Sequence, residues 1–269
     1  MGDPKAVIVG LSGCSSSGKT TLARLLRDIF PNTFILHEDD FYRPEEELPS
    51  KDGLLDWDCA ESLNIPDMEK ALSHIRTQGT FPPFVDSKED QNSVGPCPAS
   101  EEKIAAMKAK VQAWLQPGQP GHDIFNSEPS PRICVLDGFL LYSPPKFNQV
   151  MSLIDLKFFL QVSRAKATHR REARDGYVTL EGFWKDPPGY VDKIVWPNYV
   201  EAHKWMFADG DVESGDLNWN VLQEKGILAQ QSTEGKAGTD FDFEETLVWV
   251  VEEAMKALEE WAARRKEQK

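Results

Sequence analysis

The run Gly13-Cys14-Ser15-Ser16-Ser17-Gly18-Lys19-Thr20 constrains this chain more than any other stretch. It meets every fixed position of the pattern G-x-x-x-x-G-K-S/T, whose glycines let the backbone wrap an anion with several amide N–H groups turned inward. The flanks supply the context the pattern needs. Lys5-Ala6-Val7-Ile8-Val9-Gly10-Leu11 is a short apolar, β-branched run of buried-strand type, and residues 21–30 carry apolar side chains at 22, 25, 26 and 29, one helical face. Strand, glycine turn and helix N-terminus predict a loop that cradles the phosphates of a nucleoside triphosphate. Lys19 then reaches the β- and γ-phosphates, and the Thr20 hydroxyl meets Mg2+.

The rest of the chain reads as alternating strands and helices. Thr33-Phe34-Ile35-Leu36-His37 is a second strand, running into Glu38-Asp39-Asp40-Phe41-Tyr42. Ligands of open α/β sheets gather at the carboxyl ends of strands, so Asp39 is placed to take a proton from an attacking hydroxyl, while Asp40 either joins it or caps the turn. Asp58 stands before a helix expected over 59–78, bent near Pro66. With Glu61 three residues on it reads equally as a helix cap and as a substrate ligand. A third strand, 132–141, carries Asp137 where such loops hold magnesium. A fourth spans 156–162. Behind it Arg170, Arg171 and Arg174 fall near one helical face, as a phosphate clamp or as a solvated charged face. Helices over 191–207 and 241–265 and a last strand near 227–229 complete the reading. Residues 81–131, rich in Pro, Gly, Ser and charge, form an insertion of loop, helix and loop, and 170–190 a lid region. The fold class expected is a single α/β domain over 1–269, with a five-stranded parallel sheet, helices on both faces and a lid.

Charge and cysteines narrow the class. The net charge of −14 argues against a nucleic-acid or anionic-membrane partner and makes the arginine cluster a positive island. The four cysteines have no zinc-ligand spacing, and reduced thiols in the cytoplasm or nucleus are expected. Cys14 lies in the loop, where nearby cations would lower its pKa, against the plainer reading of a small filler. No apolar run is long enough to span a membrane, and no repeat or heptad appears. A monomer or homodimer is expected.

Taken together, Gly-Leu-Ser-Gly-Cys-Ser-Ser-Ser-Gly-Lys-Thr-Thr (10–21), Glu-Asp-Asp-Phe-Tyr (38–42), Gly-Leu-Leu-Asp-Trp-Asp (53–58), Leu-Asp-Gly-Phe-Leu-Leu (136–141) and the block from Pro-Pro-Gly-Tyr to Trp-Pro-Asn-Tyr (187–199) resemble the nicotinamide riboside kinases of NAD salvage. The resemblance implies ATP-dependent phosphorylation of the 5′-hydroxyl of nicotinamide riboside, with nicotinic acid riboside as a further substrate. It implies ATP held by Gly13, Ser15, Ser16, Ser17, Gly18, Lys19, Thr20 and Thr21 with Arg170 and Arg174, and Mg2+ at Thr20 and Asp137. Asp39 falls on the catalytic acid/base, with Lys19 assisting. Phe41, Trp57, Asp58, Arg171, Tyr177 and Asp186 fall on the riboside site. There Asp58 and Arg171 take the sugar hydroxyls, and Trp57 and Tyr177 sandwich the pyridine. A uridine/cytidine-type kinase shares the loop and the Asp-Phe-Tyr segment, and a nucleotide-dependent switch is the alternative outside enzymes.

Overall fold

A computed structural model of the chain describes residues 4–92, 95–126, 130–174, 176–179, 182–231 and 238–267. In chain order the elements are β1 (Ala6–Gly13), α1 (Lys19–Ile29), β2 (Thr33–His37), β3 (Ser50–Lys51), β4 (Leu54–Leu55), α2 (Ile65–Gln78), α3 (Glu101–Trp114), α4 (Pro120–Phe125), β5 (Arg132–Asp137), α5 (Asn148–Leu153), β6 (Leu156–Leu160), α6 (Arg164–Glu172), β7 (Tyr177–Thr179), β8 (Gly182–Trp184), α7 (Trp196–His203), α8 (Trp219–Lys225), β9 (Ile227–Ala229) and α9 (Phe243–Glu267). Five strands form one parallel sheet in the order β2-β5-β1-β6-β9. β3–β4 and β7–β8 are separate antiparallel hairpins.

The sheet is buried on both faces, as parallel sheets are. Along β1 the alternation sends Val7, Val9 and Leu11 into a core shared with α1, α3 and α9, while Ala6 and Ile8 point into a second core with α2, α5 and α7. The carboxyl ends of β1, β2, β5 and β6 therefore open on one edge, where the loops that follow them meet.

Several boundaries differ from the sequence expectation for identifiable reasons. The helix expected from residue 59 starts at Ile65, because Pro66 takes the first helical turn, where its missing N–H costs nothing, and Asn64 is the cap, its side chain accepting from Asp67 N. Asp58 therefore caps no helix. The strand through Asp137 ends there instead of at 141. At Gly138 a Cβ would lie 2.1 Å from the Glu38 carboxylate, so only glycine lets the chain turn past that side chain. The insertion holds two helices, not one: α3, capped by Ser100, and the short α4. The helix expected over 191–207 begins as a wider, π-type turn at 191–195, continues as α7 and ends in a tight turn over 204–206. Pro197, having no N–H, interrupts the regular ladder. Among the described residues no helix is long and apolar enough to cross a membrane.

Candidate active site

The loop after β1 is shaped by backbone sterics. Gly13 has φ +148°, and a Cβ there would sit 2.2 Å from the Leu160 carbonyl oxygen; Gly18 has φ +101° and enters α1 from the left-handed region. Lys19 is 7% exposed and its Nζ donates to the Cys14 carbonyl at 3.0 Å, bridging the loop. The hydroxyls of Ser16 and Ser17 are buried without a hydrogen-bond partner among the described residues. Orphaned buried donors in an amide-lined loop suit an oxyanion ligand. Cys14 is inert filler: burial pushes its thiol up to about 12, and the opposing charges of Lys19 and Arg171 do not overcome it.

Four acidic side chains meet at the ends of β2 and β5, each in a different setting. Asp39 is pushed up to about 7, first by burial, then by the Glu89 and Asp137 charges, with His37 and Lys19 opposing. Asp137 stays below the usual carboxylate range: burial works against it, but the His37 hydrogen bond and the His37 and Lys19 charges win, and the Thr20 hydroxyl also bonds it. Glu38, fully buried, accepts the Leu140 N–H at 3.1 Å and so ties β2 to the turn after β5. Asp40 accepts the His37 N–H at 3.3 Å and also bonds Ser87 and the Lys88 backbone, so it closes the turn and anchors the insertion.

A local network sets the next wall. Asp52-Gly53 turns β3 into β4 with both residues at positive φ. The Asp56 carboxylate then accepts the Asp58 N–H at 3.0 Å and the Asn198 amide at 2.8 and 2.9 Å, so the block at 53–58 and the block at 187–199 hold each other. Tyr190 fixes Trp57 by accepting the Trp57 N–H at 3.0 Å and donating to the Leu55 carbonyl at 2.9 Å. Asp58, 4% exposed, receives a two-pronged bond from Arg171, at 2.8 and 3.0 Å. The same guanidinium holds Asp186 at 2.6 and 3.2 Å and donates to the Ser15 hydroxyl at 2.9 Å. Burial works against the Arg171 charge, but Asp58 and Asp186 more than offset it and hold its pKa above the ordinary arginine value.

One cleft of about 700 Å³, partly open to solvent, joins these parts; it is lined by Ser15, Asp39, Asp40, Tyr42, Trp57, Asp58, Phe139, Arg171, Tyr177, Val178 and Trp184 and by Asp86, Lys88, Glu89 and Asn92 of the insertion. The expected Asp39, Trp57, Asp58, Arg171 and Tyr177 thus come together. Phe41 does not: it is 4% exposed in the core, and its neighbour Tyr42 faces the cleft, edge-on to Trp57 with ring centroids 5.2 Å apart. Asp186 does not line the cleft but holds two residues that do, Arg171 and Trp184, whose Nε1 donates to it; Trp184 stands 5.6 Å from Trp57. Arg170 donates to the Ser16 carbonyl at 3.2 Å, beside the loop, whereas Arg174 lies over the Tyr177 ring and donates to its hydroxyl. Thr21 is half-buried in the first turn of α1. Sequence reasoning missed Tyr42, Trp184, Glu89 and Asn92.

The chain is 38% identical to the nicotinamide riboside kinase of Schizosaccharomyces pombe over 208 residues, covering 77% of this chain and 84% of that protein. It is 33% identical to the nicotinamide riboside kinase of Saccharomyces cerevisiae over 215 residues, 79% of this chain and 84% of the relative. It is 30% identical to nicotinamide riboside kinase 2 of Homo sapiens over 210 residues, 76% and 70% respectively. A family model described as chloramphenicol phosphotransferase-like protein matches residues 6–76.

Proposed function

The chain belongs to the nicotinamide riboside kinase family, and from that premise we propose that it transfers the γ-phosphoryl group of ATP to the 5′-hydroxyl of nicotinamide riboside, and also of nicotinic acid riboside, giving the mononucleotides. The observation that carries the reading is the single cleft that joins Ser15 of the phosphate loop to Asp39, Asp58 and Trp57. Donor phosphates at the loop and a riboside against Trp57 would share that space.

In this mechanism the loop 13–20 and the start of α1 hold the β- and γ-phosphates through backbone N–H groups, Lys19 and the serine hydroxyls, with Arg170 beside the loop. Asp58, oriented by Arg171, accepts hydrogen bonds from the ribose hydroxyls. Trp57 and Tyr177 flank the pyridinium ring, which gains from cation–π attraction. Asp39 takes the proton of the 5′-hydroxyl as its oxygen bonds to the γ-phosphorus. The bond from that phosphorus to the β,γ-bridging oxygen breaks, and ADP leaves. The segment 170–190 acts as the lid that excludes water. An ionised carboxylate at Asp137 next to the Thr20 hydroxyl is a hard oxygen donor set, and Mg2+ takes one or two such groups plus phosphates, so these residues fit the ion. Bound there, Mg2+ would neutralise charge on the β- and γ-phosphates.

The test is a labelled-ATP assay offering nicotinamide riboside, nicotinic acid riboside and uridine side by side. Label in the pyridine mononucleotides is the expected result; a higher kcat/KM for uridine overturns it.

A further inference from the structure

Residues 86–92, within the stretch 81–131, form a strap along the cleft. One end is pinned at Asp40, the neighbour of Asp39, through Ser87 and the Lys88 backbone. Next, Glu89 Oε1 accepts from Arg24 Nη2 of α1 at 2.9 Å, and its other oxygen accepts from Asn92 Nδ2 at 2.7 Å. Asn92 Oδ1 then accepts the Val178 N–H at 2.7 Å, on the hairpin that carries Tyr177. A continuous run of hydrogen bonds therefore links the first helix after the phosphate loop, the insertion and the hairpin. Its two outer links join residues 65 and 86 positions apart in sequence, so neither is a by-product of local geometry; the middle one, Asn92 to Glu89, is local.

Two facts give the strap work to do. The β7–β8 hairpin has strands of 3 residues each, too short to hold its own position, so where Tyr177 stands depends on bonds from outside. And Glu89 and Asn92 line the same cleft as Asp39 and Trp57.

We propose that this strap is a functional part of the acceptor site: Asn92 clamps the hairpin across the cleft, and Glu89, held between Arg24 and Asn92, is a positioning residue that brings a carboxylate to the cleft that Asp39 also lines. This deepens the kinase reading and rests on it. The groups acting on Asp39 are Glu89 from the strap, Asp137 from β5, His37 from β2 and Lys19 from α1, with Glu38 and Tyr42 on its own segment. Of these charges Glu89 does most to keep the proton on Asp39, second only to burial. Its removal therefore shifts the acid limb of the rate profile, which a merely structural contact would not do.

The experiment compares Asn92→Ala and Glu89→Gln with the unaltered full-length chain. Asn92→Ala is expected to raise the KM for nicotinamide riboside about tenfold, the loss of a hydrogen bond in a desolvated site. The KM for ATP should stay unchanged and the Val178 amide should exchange its hydrogen faster. Glu89→Gln, which removes the charge and leaves one carbonyl oxygen to accept from either Arg24 or Asn92, should move the acid limb of kcat/KM to lower pH. Wild-type kinetics and unchanged Val178 exchange in Asn92→Ala overturn the clamp, and an unmoved acid limb in Glu89→Gln overturns the role of Glu89. A wild-type chain that phosphorylates no riboside overturns the kinase reading instead, and the clamp then stands or falls on Val178 exchange alone.

Discussion

Arg171 and Asp58 meet fork to fork, Nη1 on Oδ1 at 2.8 Å and Nη2 on Oδ2 at 3.0 Å, with both side chains almost fully buried. Planar bidentate geometry of this kind is available to arginine and not to lysine. Arg171→Ala leaves Asp58 as an uncompensated buried carboxylate and should cost about 3–5 kcal/mol of stability, read by denaturant unfolding. Arg171→Lys should fold better yet lose most riboside turnover, because the fork that orients Asp58 is gone.

The second prediction concerns Asp39. A proton acceptor works only when ionised, and this carboxyl is pushed up to about 7 by burial and then by Glu89 and Asp137. The rate should therefore fall as pH drops through about 7 and level off above it. Asp39→Asn should keep ATP binding and lose turnover by roughly 10²–10⁴-fold, the scale of general-base catalysis. Turnover unchanged in that variant would remove Asp39 from the mechanism.

Gly13→Ala should be severe. The added methyl would meet the Leu160 carbonyl oxygen at 2.2 Å, a backbone atom that cannot swing aside, at a φ of +148° that L-residues avoid. A loss of roughly 2–4 kcal/mol in stability is expected, with ATP binding falling in parallel when followed by calorimetry.

Tyr190→Phe tests how Trp57 is held. Without the hydroxyl, the buried Trp57 N–H and the Leu55 carbonyl both lose their partner. About 1–3 kcal/mol of stability should go. The KM for the riboside should rise more than the KM for ATP.

Glu38 carries a stability signature. Burial pushes its carboxyl up to about 8 from an ordinary 4.5, with the Leu140 N–H opposing, so the folded chain binds a proton that the unfolded chain releases. Stability from this group is present below pH 4.5 and lost as pH rises through about 8. Glu38→Gln should flatten that part of a thermal-melt series from pH 5 to 8, whereas an unchanged slope would assign the proton elsewhere.

What could be read from residue order followed the range of the physics involved. The phosphate loop, the strands and the acids at strand ends (Asp39, Asp137) are written in neighbouring residues, through glycine torsions and apolar runs. Asp58 was readable only as cap or ligand, because its partner Arg171 lies 113 positions away. Phe41 was placed in the riboside site and Tyr42 was given no role, since the tight helical turn over 38–41 that follows β2 does not keep a strand's alternation. Trp184 was hidden because the ring it meets, Trp57, lies far away in the sequence. The strap was invisible for the same reason as Asp58, its bonds to Arg24 and Val178 being purely tertiary.

One guanidinium, then, grips a carboxylate rooted beside the sheet and another rooted next to the hairpin. Any outward swing of the hairpin takes Asp186 away from Arg171 and leaves Asp58 behind with it. On the kinase reading, a riboside that enters or leaves by displacing the hairpin meets that half-released state, so Arg171 would couple the hold on the sugar to the rate at which the site empties. A substitution that tightens selection at Asp58 will, on this arrangement, slow the exit as well.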